Sequence, residues 1–118
     1  MNDIDKGNRI LSRLLTATAM RERVLAENVA NQNVPGYQRR DVSFEDALRE
    51  RILSGRSHEG VAPRILLDKK SPAGPDGNNV SLELETSAMR ENRIAYELYA
   101  TMLQSRIALS QAAITESR

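Results

Sequence analysis

The two ends of the chain carry long helical patterns of apolar residues, and these patterns constrain the fold more than any other feature. Over residues 4 to 30, apolar and small side chains recur at alternating spacings of four and three, as on one face of a helix. The same spacing returns over residues 82 to 116, where further apolar residues widen the surface. At 1.5 Å per residue, these helices are about 40 and about 50 Å long. The sequence therefore predicts a mainly α fold, with two long terminal helices packed as an antiparallel, coiled-coil-like pair.

One set of side chains from both helices is expected to pack between the helices and against neighbouring subunits. These packing residues are Leu11, Leu15, Leu25, Ala95, Tyr99, Met102 and Leu109. Neighbouring subunits are invoked because two helices of this length cannot bury two wide apolar faces by themselves. The alternative is that the same stripes form the core of an ordinary helical hairpin, and periodicity alone does not decide between the two. If the helices need neighbouring subunits to become ordered, we expect the isolated monomer to have a lower helical content than the sequence predicts.

Composition and charge exclude several classes of protein. The 118 residues predict one elongated unit, with a first helix over residues 1–31, a middle segment over 32–80 and a second helix over 81–118. Seventeen basic and sixteen acidic residues leave a net charge of +1, which argues against nucleic acid as a partner. No cysteine is present, and no apolar run approaches the roughly 20 residues that span a bilayer. We expect a soluble chain with no direct membrane insertion and no cleavable secretory signal.

The first helix must end before Pro35, because proline disfavours helical geometry in the preceding residue, Val34. Pro35 and Gly36 suit the two central positions of a type II turn, in which glycine accepts the positive φ. Two asparagines of the same stretch, Asn28 and Asn31, are three residues apart and are expected to bond to backbone groups where the helix ends.

A shorter helix is predicted after the turn, with Ser43 as its N-cap and Asp46 three residues later. Five residues fall on one side of this helix, and most of them are apolar: Phe44, Ala47, Leu48, Arg51 and Ile52. Gly55 suits the position just after its end. Residues 55–79 are rich in glycine, proline and serine, and allow at most a short strand at 61–67. Ser81 is then the expected cap of the second long helix.

The chain offers little for catalysis or metal binding. His58 is the one histidine, and we interpret it as a solvent-exposed side chain. The turn at residues 76–79 lacks the alternating oxygen ligands of a calcium loop. Two acidic clusters are interpreted as charges at helix starts rather than paired catalytic carboxylates: Asp41, Glu45 and Asp46, and Glu83 with Glu85. No phosphate loop, nucleophile elbow or zinc-binding helix is found. We expect no enzyme activity, no metal and no cofactor.

A local basic cluster lies beside the turn. It consists of Gln38, Arg39, Arg40, Arg49 and Arg51. Because acidic residues lie next to it and no stacking aromatics accompany it, we interpret it as a solvated face or a subunit contact rather than a nucleic-acid site. Arg39 and Arg40 are expected to reach an acidic surface on a neighbouring subunit.

Two blocks of sequence resemble bacterial flagellar rod and hook proteins. In AENVANQNVPGYQRRDVSFEDAL, residues 26 to 48, the matching positions are Asn28, Ala30, Asn31, Pro35, Gly36 and Tyr37. The FEDAL at its end is similar to the proximal rod members of that family. In DGNNVSLELETSAMRENRIAYELYATML, residues 76 to 103, the matching positions are Asp76, Gly77, Asn78, Val80, Glu83, Glu85, Met89, Asn92 and Tyr96. One departure is Val34, where the family commonly has threonine.

The resemblance implies a structural subunit that polymerises through its terminal helices at the base of the flagellar rod. Implied partners are rod subunits of its own type and of the FlgC and FlgF types, the adaptor FliE, and the membrane ring with the export gate. It further implies export by the flagellar type III apparatus to a periplasmic rod. Two alternatives are a generic coiled-coil adaptor or export chaperone, and a small helical nucleic-acid-binding protein, which would bind through the basic cluster in a salt-dependent way.

Overall fold

The computed structural model describes residues 3–116 and has a mainly helical fold, as the sequence predicts. In chain order the elements are α1 (Asp3–Ala30), β1 (Arg40–Ser43), α2 (Glu45–Leu53), a 3₁₀ turn (His58–Gly60), β2 (Arg64–Leu67) and α3 (Leu82–Glu116). The two long helices pack together along an elongated molecule of 67 × 27 × 15 Å.

The pairing of α1 and α3 is antiparallel, because each end of one helix bonds to the opposite end of the other. Arg106 near the end of α3 donates to the Asn8 side chain at 3.0 Å. Asn28 near the end of α1 donates to Glu85 in the first turn of α3 at 3.2 Å. The start of α3 is capped as the sequence predicts, since the Ser81 hydroxyl accepts the N–H of Leu84 at 3.3 Å. The antiparallel pair of helices is thus confirmed.

The middle segment forms a two-stranded antiparallel ribbon, where the sequence predicts at most one short strand. Strand β2 lies within the predicted 61–67 stretch, and β1 pairs with it so that Arg40 faces Leu67 and Ser43 faces Arg64. One further rung follows, in which the N–H of Asp68 donates to the carbonyl of Arg39 at 2.9 Å. Strand β1 lies against α1, so the ribbon is attached to the long helices along one edge.

The predicted cap of α2 is wrong. Ser43 is the last residue of β1 and pairs with Arg64, and Phe44 occupies the N-cap position without a side-chain cap. The physical reason is burial, because the Phe44 ring is fully buried in the core. The predicted apolar side of α2 is only partly correct, since Leu48 is buried but Ile52 is 51% exposed. The predicted end is confirmed, with Gly55 at a φ of +73° just past the helix.

A small core lies between α1 and the middle segment. It contains Ala17, Phe44, Leu48 and Val61, with Ile10 and Leu14 packed against it. Arg13 of α1 holds the 3₁₀ turn against this core by donating to the carbonyls of His58, Glu59 and Val61 at 3.2, 3.1 and 2.8 Å.

The expectation of a solvent-exposed His58 is therefore wrong. Its exposure is only 4%, because the hydrogen bonds from Arg13 hold the 3₁₀ turn against α1. Neither ring nitrogen has a hydrogen-bond partner among the residues that the structure describes.

The surface of α3 is unusually apolar on the side that α1 leaves uncovered. Four exposed side chains at spacings of four, four and seven lie on one helix face, which we call the outer stripe: Ile94, Leu98, Met102 and Leu109. Their exposure is 65%, 55%, 45% and 71%. Polar residues cover another side of the helix, including Arg90, Glu97 and Gln104.

The packing residues predicted from the sequence divide between the inside and the outside of the chain. Leu11 and Leu25 are buried, and Leu15, Ala95 and Tyr99 are half-buried. Met102 and Leu109 instead belong to the exposed outer stripe. Within the described residues, no helix is long and apolar enough to cross a membrane.

Candidate functional site

The Pro-Gly turn after α1 is present as predicted. The N–H of Tyr37 donates to the carbonyl of Val34 at 3.2 Å, so Pro35 and Gly36 are the central residues of a four-residue turn. Gly36 has a φ of +73°, which glycine adopts without strain. This turn directs the chain away from the axis of α1 and into the β ribbon.

The second sequence block packs directly against this turn, although more than 35 residues separate the two. The N–H of Gly36 donates to the carbonyl of Asp76 at 2.9 Å. A Cβ built on Gly77, whose φ is +81°, would lie only 3.4 Å from the Cα of Gly36. The two turns are thus joined through their backbones. We call the joined region, residues 28–41 with residues 76–85, the corner.

Asn28 is the central polar side chain of the corner and is fully buried. Its Oδ1 accepts the N–H of Arg40 at 3.0 Å, and its Nδ2 donates to the carbonyl of the same residue at 2.9 Å. Oδ1 also accepts the hydroxyl of Tyr37 at 3.3 Å, and Nδ2 also donates to Glu85. Asn28 therefore bonds to the backbone of strand β1 rather than to the end of its own helix, while Asn31 bonds to Glu27 within α1.

Asn78 closes the end of α1. Its Nδ2 donates to the carbonyls of Asn31 and Val34 at 2.9 and 2.8 Å, and its Oδ1 accepts the N–H of Val80 at 2.8 Å. Asn31 and Val34 lie in the turn just past α1, and each of their carbonyls also accepts a backbone N–H, so the Asn78 amide is a second donor that ties this turn to the second sequence block. The side chain of Asn78 itself is buried.

Asn79 extends the β ribbon by one rung. Its Oδ1 accepts the N–H of Arg39 at 2.7 Å, and its Nδ2 donates to the carbonyl of Asp68 at 2.8 Å. The side-chain amide thereby lies between two backbone groups that would otherwise pair with each other. The sequence does not predict a role for Asn79. Its position next to Asn78 in the second block is the one signal that draws attention to it.

Arg39 is the one cation at the centre of three carboxylates, those of Asp41, Asp68 and Glu85. The hydrogen bond with Glu85, followed by those with Asp41 and Asp68, raises the pKa of Arg39 above its ordinary value. Hydrogen bonds from Ser71 and Arg39 lower the pKa of Asp68 well below its ordinary value. The guanidinium fork suits several carboxylates at once, and this arrangement ties β1, β2 and α3 together.

Two sequence interpretations are wrong at this point. Arg39 does not reach outward to a neighbouring subunit, because its side chain is only 14% exposed and is bonded within its own chain. Glu85 is not merely a charge at a helix start, because its side chain is 1% exposed and bonds to Arg39 and Asn28. Arg40 remains exposed on the other side of the strand.

A second polar contact lies two helical turns further along α3. Asn92 is buried, donates to the carbonyl of Thr18 at 2.8 Å and accepts from Arg21 at 3.3 Å. Arg21 also donates two hydrogen bonds to the Glu45 carboxylate, at 2.8 and 2.6 Å. Burial is the largest single influence on Glu45 and opposes its ionisation, but the hydrogen bonds from Arg21, a backbone hydrogen bond and the charge of Arg21 together outweigh burial and lower the pKa of Glu45. This contact fixes the register of α1, α2 and α3.

The remaining motif residues do not enter the corner's bonded network through their side chains. Glu83 and Ala30 are exposed, Met89 is half-buried, and Tyr96 is 46% exposed. Met89 and Tyr96 lie on α3, where the block continues past the corner. Among residues 3–116, no group of histidine, aspartate or glutamate side chains is placed to hold a metal ion. What the corner does is mechanical: it fixes the angle between the long helices and the ribbon.

Arg39, Asp68 and Arg21 are residues of this site that sequence reasoning missed as a structural unit. Each looks like an ordinary surface charge in the sequence, because its ion-pair partners, apart from Asp41, are 24 to 46 residues away. A charge that recurs with the same opposite charges in related chains is the signal that identifies such a group.

Comparison with known proteins identifies the family of the chain. No family model matches the chain. A protein of Aquifex aeolicus named "Flagellar basal body rod protein FlgB" is 31% identical over 106 residues, which cover 82% of this chain and 83% of that protein. Proteins of the same name from Salmonella typhimurium and Borreliella burgdorferi are 28% and 26% identical, and the matches cover 91% and 83% of this chain. The chain belongs to the FlgB family of flagellar basal-body rod proteins.

Proposed function

We propose that this chain is a structural subunit of the proximal rod of the flagellar basal body. It polymerises through its two long helices at the base of the rod and connects the membrane ring and export gate to the distal rod. Membership of the FlgB family supports a structural role in the rod. The role requires contacts with other subunits rather than chemistry on a substrate.

The outer stripe of α3 is the observation that carries this proposal. Ile94, Leu98, Met102 and Leu109 lie exposed on one face, beyond the side that packs on α1. A helix that is apolar on more than one side is normally buried in a larger assembly. Burial of these side chains against neighbouring copies supplies the free energy for polymerisation, about 25 cal/mol per Å² of apolar surface removed from water.

The corner gives this assembly a fixed geometry. Its side chains hold the ribbon at one angle to the helices, so that every copy presents the same surfaces to its neighbours. A contact between two different surfaces, repeated from copy to copy without closing, produces a helical stack. A rod needs this symmetry, and a subunit that bends at the corner would lose the repeat.

Three further parts of the proposal follow from the sequence. The chain acts as one elongated unit, with axial helices at residues 1–31 and 81–118 and a middle segment at 32–80. Its partners are rod subunits of the FlgB, FlgC and FlgF types, the adaptor FliE, and the membrane ring with the export gate. It reaches the periplasmic rod through the flagellar type III apparatus.

A charge placed in the outer stripe tests the assembly role. In a bacterium that lacks its own copy of the gene, Leu98→Glu is expected to abolish hook-basal bodies in electron micrographs and swimming in soft agar. The reason is that an unpaired carboxylate is costly to bury at a subunit contact. The matched control is Gln104→Glu, which adds the same charge to the polar side of the same helix and is expected to preserve motility.

Circular dichroism of both purified variants separates assembly from folding. Leu98 is 55% exposed, so the helical content of the Leu98→Glu monomer should equal that of the parent. Normal basal bodies in the Leu98→Glu strain would contradict the proposed role of the outer stripe.

A further inference from the structure

The β ribbon has one satisfied edge and one open edge. On the β1 side, the outward backbone groups of Arg40 bond to Asn28, and the outward carbonyl of Val42 accepts from Arg21 at 3.0 Å. On the β2 side, the rung between Arg39 and Asp68 fixes which residues point outward, because inward and outward pairs alternate along an antiparallel ladder. Ile65 and Leu67 are the β2 residues whose N–H and C=O groups point away from β1.

These outward groups have no hydrogen-bond partner among the described residues of the chain. The side chains of β2 are also exposed, with Ile65, Leu66 and Leu67 at 50%, 44% and 51%. An open edge with apolar side chains is a template for an added strand, and proteins normally protect such an edge. The ribbon therefore offers a site for one further strand.

The sequence of this edge is complementary to itself when two copies run antiparallel. With Leu66 of one copy opposite Leu66 of the other, Ile65 faces Leu67 and Arg64 faces Asp68. This register makes Ile65 and Leu67 the hydrogen-bonded pair, which matches the direction of their free backbone groups. It also places the exposed Leu66 side chains of the two copies directly opposite each other, a favourable apolar cross-strand pair.

We propose that the open edge of β2 pairs with the same edge of a second copy of this chain, forming a four-stranded sheet across a two-fold axis. Four backbone hydrogen bonds join the copies, two at each pair of Ile65 with Leu67. Such an isologous contact closes at two chains and cannot extend into a rod. The dimer is therefore a state of subunits outside the rod, in which the open edge is covered before assembly.

The contact is small, because each copy contributes a strand of only four residues. We expect a dissociation constant on the order of 0.1 to 1 mM, as for weak, transient interfaces. The inference does not depend on the rod role, since it concerns the isolated protein. Dimer formation and rod assembly are measured separately, so that failure of one leaves the other open to its own test.

A proline substitution gives a sharp test. Ile65→Pro removes an N–H that points outward and leaves the hydrogen bonds between β1 and β2 in place, and proline is tolerated on edge strands. The control Ile65→Val keeps both the N–H and the apolar side chain. Nuclear magnetic resonance of the full chain at about 0.02 to 1 mM follows the amide of Leu67, whose shift is expected to change with concentration in the parent and in Ile65→Val. In Ile65→Pro it is expected to stay constant.

The Leu67 amide distinguishes this contact from association through α3, because association through α3 does not change the shift of that amide. Protection of the inward Leu66 amide shows whether the ribbon persists in Ile65→Pro. Leu66→Glu is a second variant that leaves the outward backbone groups of Ile65 and Leu67 in place, and it should weaken the dimer about tenfold at low salt because it places two like charges directly opposite each other across the two-fold axis. A Leu67 shift that is independent of concentration in the parent, or equal dimerisation of parent and both variants, would overturn the proposal.

Discussion

The corner and the outer stripe of α3 show opposite relations between burial and polarity. In the corner, Asn28 and Glu85 are polar, buried and bonded on several sides. In the outer stripe, Leu98 and Leu109 are apolar and exposed. The polar groups of the corner are bonded within one chain, whereas 45 to 71% of each residue of the outer stripe stays exposed among the described residues. The corner therefore determines the shape of the subunit, and the outer stripe is the part that needs other copies.

This difference predicts where substitutions act. A change in the corner should lower the free energy of unfolding of the isolated chain, because buried polar groups lose their partners. A change in the outer stripe should leave the isolated chain unaffected and act only on assembly. Each substitution below is compared with a matched control variant, and the substitutions follow in decreasing order of the expected effect on the monomer.

Glu85→Ala is expected to have the largest effect on the monomer. It leaves Arg39 without its buried partner and removes one acceptor from Asn28, so the free energy of unfolding should fall by about 3 kcal/mol. Urea denaturation followed by circular dichroism measures the change. The control Glu83→Ala, two residues away on the exposed side of the helix, should change it by less than about 0.5 kcal/mol. Equal effects of the two substitutions would show that the corner is not a bonded unit.

Asn28→Ala should cost about 2 kcal/mol, because the N–H and C=O of Arg40 lose their partner in a buried site. Its comparison is Asn31→Ala, three residues later in the same motif. Asn31 bonds through its side chain only to the carbonyl of Glu27 within α1, so its loss should cost about 0.5 kcal/mol. Thermal unfolding of the two variants is a direct test, and a larger loss for Asn31→Ala would mean that the motif acts through the turn rather than through the strand.

Periodicity in the sequence is sufficient to predict the helices and the turn, because both depend on residues that are close in sequence. The positive φ of Gly36 and the cap by Ser81 are such local features. Strand β1 was not predicted, since its ladder partner lies about 24 residues further along the chain. The same limit applies to Arg39, which looks like a surface charge until the fold brings Asp68 and Glu85 to it.

His58 shows a different limit of sequence reasoning. A lone histidine in a segment rich in glycine and serine predicts an exposed ring, but Arg13 bonds to the backbone of that segment and draws it onto α1. Burial here follows from a backbone contact made by a distant side chain, which no pattern within residues 55–60 indicates. Segments rich in turn residues are therefore the least predictable from composition.

Gly36→Val should cost about 1 to 2 kcal/mol, because a β-branched residue is strained at a φ of +73°. No atom outside residues 35–37 lies within 4 Å of a Cβ placed there, so the cost comes mainly from the backbone conformation. The matched control is Gly36→Asn, since asparagine adopts the left-handed region more readily. Expression should be intact in both variants, and rod assembly should be impaired in Gly36→Val. Normal basal bodies in that strain would contradict the role of the turn.

Leu109→Ala should have the smallest effect on the monomer and a large effect on the rod. With 71% of its surface exposed, Leu109 contributes little to the fold of one chain, and the free energy of unfolding should change by less than about 0.5 kcal/mol. Leu25→Ala is the matched control, because the same truncation at a side chain of 1% exposure should cost about 2 to 5 kcal/mol. The combination to look for is a stable Leu109→Ala monomer that forms few basal bodies in cells. If this variant is instead as destabilised as Leu25→Ala, then the outer stripe packs within the isolated chain. The claim that the corner stabilises the monomer while the outer stripe acts only in assembly would then be wrong.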